Sequence, residues 1–216
     1  MRADGQKVEP LLAIMTAQPV IPVLKIARAK DAVPLARALA RGGLPAVEIT
    51  LRTPDALAAI RAVAAEVPEA TVGAGTVLDT RQFEEAASAG ARFIVSPGFT
   101  QTLAEVAAAS AVPLLPGAIT PGEIMAAADA GYRLLKFFPA EQAGAAAFLK
   151  ALASPFSGIR FCPTGGIGAA NAASYLALEN VICVGGSWVA PDALVAAGEW
   201  DEIAALARQA ALLKGN

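Results

Sequence analysis

Short apolar segments alternate along the chain with stretches in which apolar residues recur at helical spacing. The short segments are rich in Val, Ile, Leu and Phe, as buried parallel strands are. Eight occur, at Val20–Ile26, Ala46–Leu51, Thr71–Val77, Phe93–Gly98, Pro113–Ile119, Leu134–Pro139, Arg160–Gly166 and Val181–Ser187. Amphipathic helices are predicted between them, for example at Asp55–Val67, Arg81–Ala89, Leu103–Ser110, Gly122–Ala130 and Asn171–Leu178. The pattern therefore predicts strands and helices in alternation.

Several helix boundaries carry their own signals. Thr120 with Glu123, and Thr102 with Glu105, each have the spacing of a capping box at a helix N-terminus. The first 17 residues are expected to form a helical extension that covers one end of the fold. Residues Asp192–Leu213 are expected to form one closing helix.

The strands begin at intervals of 20 to 26 residues, as repeated βα units do. Eight such units predict an α/β fold with a single (β/α)8 TIM barrel and an N-terminal helix. A doubly wound open sheet is the rival, but the strand number favours the barrel and 216 residues lie near its lower size limit. No linker divides the chain, so residues 1–216 are predicted to form one domain.

Composition narrows the classes of function. The chain is 56% hydrophobic and 17% charged, with a formal net charge of −2, which predicts a compact protein without a general nucleic-acid-binding surface. The sequence shows neither a membrane-spanning apolar run nor a signal peptide, so the expected location is the cytoplasm. It contains no histidine, and the two cysteines, Cys162 and Cys183, are expected to be core thiols. Acid–base chemistry must therefore come from carboxylates, lysine, tyrosine or water.

The second strand carries a polar face. Glu48, Thr50 and Arg52 alternate with Val47, Ile49 and Leu51, so the polar set is expected to point into the barrel. Catalytic groups of barrels lie at the C-terminal ends of the strands. A glutamate and an arginine there are either a structural internal ion pair or ligand-binding groups, and the strand alone leaves both interpretations open.

The stretch RLLKFFPAE places Lys136 among leucines and phenylalanines. The same alternation puts Lys136 and Phe138 on the inner face of the sixth strand. Apolar neighbours disfavour the charged ammonium and favour a free amine that attacks carbonyls. A lysine neutralised by Glu48 for structural reasons is the alternative. Lys25 in the first strand competes for the nucleophilic role, but its setting fits an anion ligand or a snorkelling residue better.

Two glycine-rich segments, residues 163–168 and 184–188, follow the seventh and eighth strands. Backbone N–H groups of such loops bind phosphate in barrels, although tight βα turns also use glycine without any ligand. Thr76, at the end of the third strand, is placed to donate a hydrogen bond to a carboxylate or to act as an ordinary strand-end hydroxyl.

Six motifs in order resemble the 2-keto-3-deoxy-6-phosphogluconate (KDPG) and 2-keto-4-hydroxyglutarate (KHG) aldolases. The resemblance runs from about Pro19 to the C-terminal helix. The motifs are Glu48–Thr53, Gly73–Val77, Val95–Gly98, Lys136–Glu141, Pro163–Ile167 and Gly185–Trp188.

The resemblance implies a class I aldolase of the Entner–Doudoroff pathway that cleaves KDPG to pyruvate and D-glyceraldehyde 3-phosphate. Cleavage of KHG to pyruvate and glyoxylate is implied as well. The family resemblance further implies a homotrimer that needs no metal or organic cofactor and whose partners are pyruvate and a phosphorylated 2-keto sugar acid.

Carried over position by position, the resemblance makes Lys136 the Schiff-base lysine and Glu48 the general acid and base. Arg52 and Thr76 match the residues that bind the pyruvyl carboxylate. The remaining substrate-binding positions are Pro97, Phe138, Thr164, Gly165, Gly166, Gly186 and Ser187. Of these, Gly165, Gly166, Gly186 and Ser187 match the phosphate cradle, and Thr164 matches a position that influences stereoselectivity.

Three other functions stay open at this point. The 6-phosphogalactonate epimer is the substrate of a sister group, and a phosphosugar isomerase or epimerase would use the same phosphate loops without an imine. A non-catalytic metabolite-binding module would bind pyruvate without turnover. Lys25 stands where some close relatives are expected to carry an apolar residue, which leaves the preferred sugar acid open.

Overall fold

Parallel strands and helices alternate through the computed structural model, which describes residues 5–213. All eight expected strands are present, and each is followed by one or more helices. The strands are β1 (Val20–Leu24), β2 (Ala46–Thr50), β3 (Thr71–Gly75), β4 (Ile94–Val95), β5 (Leu114–Leu115), β6 (Leu134–Phe137), β7 (Arg160–Pro163) and β8 (Val184–Gly186).

The helices lie close to the positions that the periodicity predicts. The five predicted examples each begin and end within two residues of the observed bounds. They are α1 (Val8–Thr16), α2 (Ala32–Arg41), α3 (Ala56–Glu66), α4 (Thr80–Ser88), α5 (Gln101–Ala109), α6 (Pro121–Asp129), α7 (Ala145–Ala153), α8 (Ala172–Leu176), α9 (Asp192–Ala197) and α10 (Trp200–Ala211), with a short 3-10 helix at Ala29–Asp31. None of the helices among residues 5–213 is both long enough and apolar enough to cross a membrane.

The strands form a parallel six-stranded sheet and a separate pair, rather than one uninterrupted ladder. The sheet has the order β5-β4-β3-β2-β1-β8, and β6 pairs with β7. The α/β class is thereby confirmed. The order places β1 between β2 and β8, which is unlike the 3-2-1-4-5-6 order of a doubly wound sheet.

Isolated parallel bridges lie between the sheet and the pair. Gly117 bridges to Lys136 at the β5–β6 seam, and Thr164 bridges to Gly185 at the β7–β8 seam. Strands β4 and β5 have two residues each, shorter than predicted. Pro116 follows β5 directly and Pro97 follows β4 after Ser96, and neither proline has an N–H to donate to a ladder.

The alternation of side chains divides the core as predicted. Val47 and Ile49 of β2 belong to the large apolar cluster between strands and helices. A second cluster lies on the inner face of the strands, and Leu11 and Met15 of α1 join it. Helix α1 therefore covers one end of the fold, as expected of the N-terminal extension, although it begins at Val8 and residues 1–4 lie outside the described part.

The two cysteines lie in the inner cluster, and both thiols are free and buried. The expectation of core thiols is confirmed. A hydrogen bond with Cys162 and burial together raise the pKa of Cys183 well above its usual value. A thiol in this setting is unreactive.

Two predicted helix boundaries are wrong. The Thr102 capping box does not form, because α5 starts earlier and the hydroxyl of Thr100 accepts the cap hydrogen bond from the Leu103 N–H (3.2 Å). The single closing helix is broken into α9 and α10 at Gly198, which has a left-handed φ of +74°. The capping box of Thr120 and Glu123 is present as predicted.

A glutamine side chain completes the backbone pairing at the β5–β6 seam. The Gln6 amide oxygen accepts hydrogen bonds from the N–H groups of Arg133 (3.0 Å) and Leu134 (2.8 Å). Its NH2 group donates to the carbonyls of Leu114 (3.0 Å) and Leu134 (2.7 Å). One side chain thus satisfies backbone groups that the interrupted ladder leaves open.

Candidate active site

The Lys136 and Glu48 side chains meet inside the fold. Lys136 Nζ donates to Glu48 Oε1 at 3.2 Å, and the two residues are 6% and 3% exposed. The prediction that β6 and β2 place them in one interior is confirmed. A carboxylate within hydrogen-bond reach of an amine is placed for proton exchange with it.

The backbone around Lys136 is fixed at the seam between β5 and β6. Its N–H donates to the carbonyl of Pro116 (2.8 Å), and its carbonyl accepts from the N–H of Ala118 (2.9 Å). Its Nζ lies 5.3 Å from the centre of the Phe138 ring, whose side chain is partly exposed. The amine therefore has a carboxylate on one side and an aromatic face on another.

The Glu48 carboxylate lies against β3, where the chain has a glycine. A methyl group added at Gly75 would overlap Glu48 Oε1, Cδ and Cγ. Gly75 is paired with Thr50, two residues beyond Glu48 on the neighbouring strand. The sequence indicates Gly75 only as part of a motif. A side chain is excluded there by Glu48, which lies 27 positions earlier in the chain.

Arg52 lies beyond Glu48, at the mouth of the fold. Its Nε donates to Thr50 Oγ1 (3.0 Å), which in turn donates to the Leu24 carbonyl (2.8 Å). The buried ion pair of this face joins Glu48 to Lys136 and does not include Arg52. The guanidinium is exposed and forms no salt bridge with any residue from 5 to 213.

Thr76 ends β3 in an uncommon backbone conformation. Its φ is +59°, in the left-handed region that β-branched residues avoid. The strain of such a residue is about 1–3 kcal/mol, and it concentrates at functional sites. Thr76 is half-buried at the strand ends, where a protein hydroxyl that binds a ligand is expected.

The loop after β7 turns through two left-handed glycines. Gly165 has φ +104° and Gly166 has φ +75°. The Asn171 side chain clamps this loop, since Oδ1 accepts from the Gly168 N–H (2.8 Å) and Nδ2 donates to the Gly166 carbonyl (3.2 Å). Sequence analysis missed Asn171, although an Asn three residues after a glycine-rich turn was an available signal.

The segment that follows Lys136 packs against the same loop. The Ala140 and Glu141 N–H groups donate to the carbonyls of Thr164 (2.8 Å) and Gly165 (3.2 Å). The Glu141 carboxylate accepts a short hydrogen bond from the Tyr175 hydroxyl. Burial and this carboxylate raise the pKa of Tyr175. The lysine segment and the glycine loop are therefore one connected unit.

Strand β8 and the loop after it lie beside this unit. Thr164 is buried, and a methyl group at Gly185 would overlap its side chain, while one at Gly186 would overlap the Trp188 ring. Ser187 is exposed. Pro97 follows β4 at the same end of the sheet, and its carbonyl lies where a Cβ at Gly117 would be.

The predicted residues thus fall into two groups by their contacts. Lys136 contacts both Glu48 and Phe138, and Arg52 and Ser187 line one cavity. Thr76 follows β3 and Pro97 follows β4 after Ser96, and neither belongs to these two groups. Among residues 5–213 there is no group of three His, Cys, Asp or Glu side chains that could hold a metal ion.

This fold and site match one class of enzyme, the aldolases. Residues 11–206 match the family model described as KDPG and KHG aldolase. The chain is 50% identical over 198 residues to the KHG/KDPG aldolase of Escherichia coli (strain K12), covering 92% of this chain and 93% of that protein.

Solved structures agree with the sequence relatives. The KDPG aldolase of Legionella pneumophila, with pyruvate captured as a covalent carbinolamine intermediate, aligns with a TM-score of 0.92 and 43% identity over 95% of this chain and 99% of that one. The KDPG aldolase of Zymomonas mobilis ZM4 with 3-phosphoglycerate aligns with a TM-score of 0.90 and 45% identity, covering 96% and 97%. The chain therefore belongs to the KDPG and KHG aldolase family.

Proposed function

We propose that this protein is a class I aldolase that cleaves KDPG to pyruvate and D-glyceraldehyde 3-phosphate. The observation that carries this function is the buried contact of 3.2 Å between Lys136 Nζ and Glu48 Oε1 in a chain of this family. The pair supplies a nucleophile and a proton acceptor, the two groups that imine chemistry needs. Cleavage of KHG to pyruvate and glyoxylate follows the same bond changes.

The reaction begins with proton transfer from Lys136 to Glu48. The neutral amine attacks C2 of the 2-keto acid, and a proton passes from its nitrogen to the former carbonyl oxygen to give a carbinolamine. Glu48 returns a proton so that the hydroxyl leaves as water and a protonated imine forms. The positive imine nitrogen withdraws electrons from the adjacent carbons.

Carbon–carbon cleavage follows from that electron withdrawal. Glu48 removes the proton of the C4 hydroxyl, the C3–C4 electron pair moves toward the imine, and the aldehyde departs. Protonation of the enamine at C3 and hydrolysis of the imine then release pyruvate and restore the amine.

The remaining predicted residues hold the substrate. Arg52 and Thr76 bind the pyruvyl carboxylate, because a guanidinium and a hydroxyl are suitable donors for it. The distal phosphate is bound by Gly165, Gly166, Gly186 and Ser187. Thr164, Pro97 and Phe138 shape the space around the reacting carbons. No metal or organic cofactor takes part in these steps.

A closed (β/α)8 barrel is the architecture that we propose for residues 5–213. The β1–β8 pairing and the bridges of Gly117 with Lys136 and of Thr164 with Gly185 support closure of the sheet. The family resemblance supports one domain, a homotrimer and a cytoplasmic location. Analytical ultracentrifugation of the purified protein tests the trimer.

Borohydride reduction in the presence of pyruvate tests the proposed function. We expect one pyruvate-derived adduct, located on Lys136 by peptide mass spectrometry and lost in Lys136→Ala. The Lys25→Met variant, in which the competing lysine is removed, keeps the adduct. An adduct on any other residue contradicts the proposal, and an unmodified protein favours an isomerase, an epimerase or a binding module.

Comparison of three substrates identifies the sugar acid. Pyruvate release is measured with the gluconate-derived phosphate, with its galactonate-derived epimer and with KHG. We expect kcat/KM to be highest for the gluconate-derived substrate. Preference for the epimer would move the protein to the alternative 6-phosphogalactonate specificity while leaving the imine mechanism intact.

A further inference from the structure

A cavity of about 200 Å³ opens where β1, β2 and β8 end, and Leu35 of α2 and Val195 of α9 also line it. Its polar lining consists of Lys25, Arg52, Ser187 and Asp192, and the rest is mainly apolar. Lys25, Arg52 and Ser187 come just after β1, β2 and β8 in the chain. These three strands are neighbours in the sheet. The cavity therefore belongs to the end of the sheet at which the substrate is expected.

The strand register places Lys25 above the catalytic pair. Val23 is the partner of Glu48 in the β1–β2 ladder, while Leu24 and Ile26 belong to the outer apolar cluster. Alternation then puts Lys25 on the inner side, one step beyond Val23 toward the mouth. Its exposed position brings its ammonium to the cavity rather than to the core.

The charges of this cavity are not balanced within the described chain. Neither Lys25 nor Arg52 forms a salt bridge with any carboxylate of residues 5–213. Asp192 is the one acidic residue of the lining, so two cations face one carboxylate. Such an excess of positive charge at the mouth of a site favours an anionic ligand.

We propose that Lys25 binds the distal phosphate of the substrate together with Ser187 and so determines the preference for phosphorylated sugar acids. This inference rests on the proposed function. Arg52 is committed to the pyruvyl carboxylate, and the glycine loops offer neutral N–H groups. Another nearby cation, Arg28, is held by Asp31 at 2.7 Å. Lys25 supplies a positive charge that pairs with the negative charge of the phosphate, as a lysine ammonium does.

The test compares KDPG with the same sugar acid without its phosphate. We expect Lys25→Met to raise the KM for KDPG by about 10- to 100-fold, the loss typical of a hydrogen bond to a charged group. The kcat for KDPG and the kcat/KM for unphosphorylated 2-keto-3-deoxygluconate stay within about 3-fold, the range of small second-order effects. Lys25→Arg restores most of the KM, and Lys150→Met on α7 serves as the control for loss of a surface charge.

Three results would overturn the inference. An unchanged KM for KDPG in Lys25→Met would show that Lys25 does not bind the phosphate. An equal fall in kcat/KM for both sugar acids would indicate a structural role. Slower trapping of pyruvate in Lys25→Met assigns the lysine to the carboxylate instead. If the unaltered protein neither cleaves KDPG nor traps pyruvate, the proposed function itself fails, and this outcome is distinct from the other three.

Discussion

The Glu48 carboxylate occupies space that only a glycine at position 75 leaves open. The two residues lie on adjacent parallel strands, and the register fixes their relative height. The position of the Glu48 carboxylate, the proton shuttle that we propose, is therefore determined as much by the absent side chain of Gly75 as by the glutamate itself.

Replacement of Gly75 by alanine is expected to displace the Glu48 carboxylate from Lys136. A displacement of about 1 Å at a reacting group lowers turnover by about 100-fold. We expect this loss in kcat for KDPG, together with slower borohydride trapping of pyruvate. Gly122→Ala is the control, because nothing lies within 4 Å of a Cβ added there. Normal kcat in a folded Gly75→Ala would show that the carboxylate tolerates the methyl group.

Glu48→Gln separates proton transfer from substrate binding. The amide keeps the shape of the side chain but cannot take a proton from Lys136 or from the C4 hydroxyl. Removal of a general acid–base group lowers the rate by about 10²- to 10⁴-fold, and we expect that loss in kcat. Calorimetric titration should still detect pyruvate binding. Turnover close to that of the unaltered protein would remove Glu48 from the mechanism.

The left-handed Thr76 predicts a trade between stability and activity. Glycine adopts a φ of +59° without steric cost, so Thr76→Gly should raise the free energy of unfolding by up to about 1 kcal/mol. The loss of the hydroxyl should raise the KM for KDPG. Urea denaturation and steady-state kinetics measure the two effects.

Thr71→Gly provides the matched control at the other end of β3. Thr71 does not have a positive φ, so glycine there relieves nothing and should destabilise the protein. If Thr76→Gly lowers the free energy of unfolding as much as Thr71→Gly does, then the positive φ of Thr76 does not strain the folded protein.

Asn171→Ala releases both ends of the clamp on the glycine loop. The Gly166 carbonyl then loses its side-chain donor and the Gly168 N–H loses its acceptor, so the proposed phosphate site becomes less ordered. We expect the KM for KDPG to rise by about 10-fold, the loss typical of one hydrogen bond, with little change in kcat. Unphosphorylated 2-keto-3-deoxygluconate should be unaffected. Ser174→Ala, which removes only a bond to the Asn171 carbonyl, should behave as the unaltered protein does.

The capping box of α6 predicts a pH-dependent contribution to stability. Hydrogen bonds from the N–H groups of Thr120 and Ile119 lower the pKa of Glu123 below its usual 4.5. Because the folded pKa is lower than the unfolded one, the stabilisation is present above the unfolded pKa and is lost as the pH falls through the folded one. Glu123→Gln should thus cost less than about 1 kcal/mol at pH 7, since the site is largely exposed.

Glu105→Gln is the natural comparison, since its predicted capping box does not form. Within residues 5–213, its carboxylate accepts a hydrogen bond from the side chain of Gln101 alone (3.2 Å). Urea titrations at pH 7 and pH 3 should show a difference that disappears in acid for Glu123→Gln and no comparable difference for Glu105→Gln. Equal behaviour of both variants would contradict the assigned cap.

Side-chain alternation was sufficient to predict that Lys136 and Glu48 share one interior. A strand exposes alternate residues to opposite faces, so Glu48 and Lys136 were placed on the inner faces of β2 and β6 from the sequence. Their contact across 88 positions followed only because the strands were expected to share one interior.

Features that depend on a distant partner were not predictable from local sequence. Gly75 is explained by Glu48, and the clamp of Asn171 requires the path of the loop at Gly166 and Gly168. The Thr102 cap failed because Thr100 offers the same chemistry two residues earlier. Strands β4 and β5 are short because the prolines that come after them cannot donate ladder hydrogen bonds. The local sequence does not show which neighbouring strand would have accepted those bonds.

The Gln6 side chain that closes the β5–β6 seam determines which end of the chain can be truncated or tagged without disturbing the strands. Lys7 beside it donates to the carbonyls of Ala107 (2.9 Å) and Ala108 (3.3 Å) in the last turn of α5, so two consecutive residues fasten the N-terminal segment to the seam and to that helix. The Lys136 backbone is anchored on that same seam. Shortening the chain through residue 7 would therefore loosen the strand that carries the nucleophile, whereas a purification tag attached beyond Leu213 leaves both fastenings undisturbed.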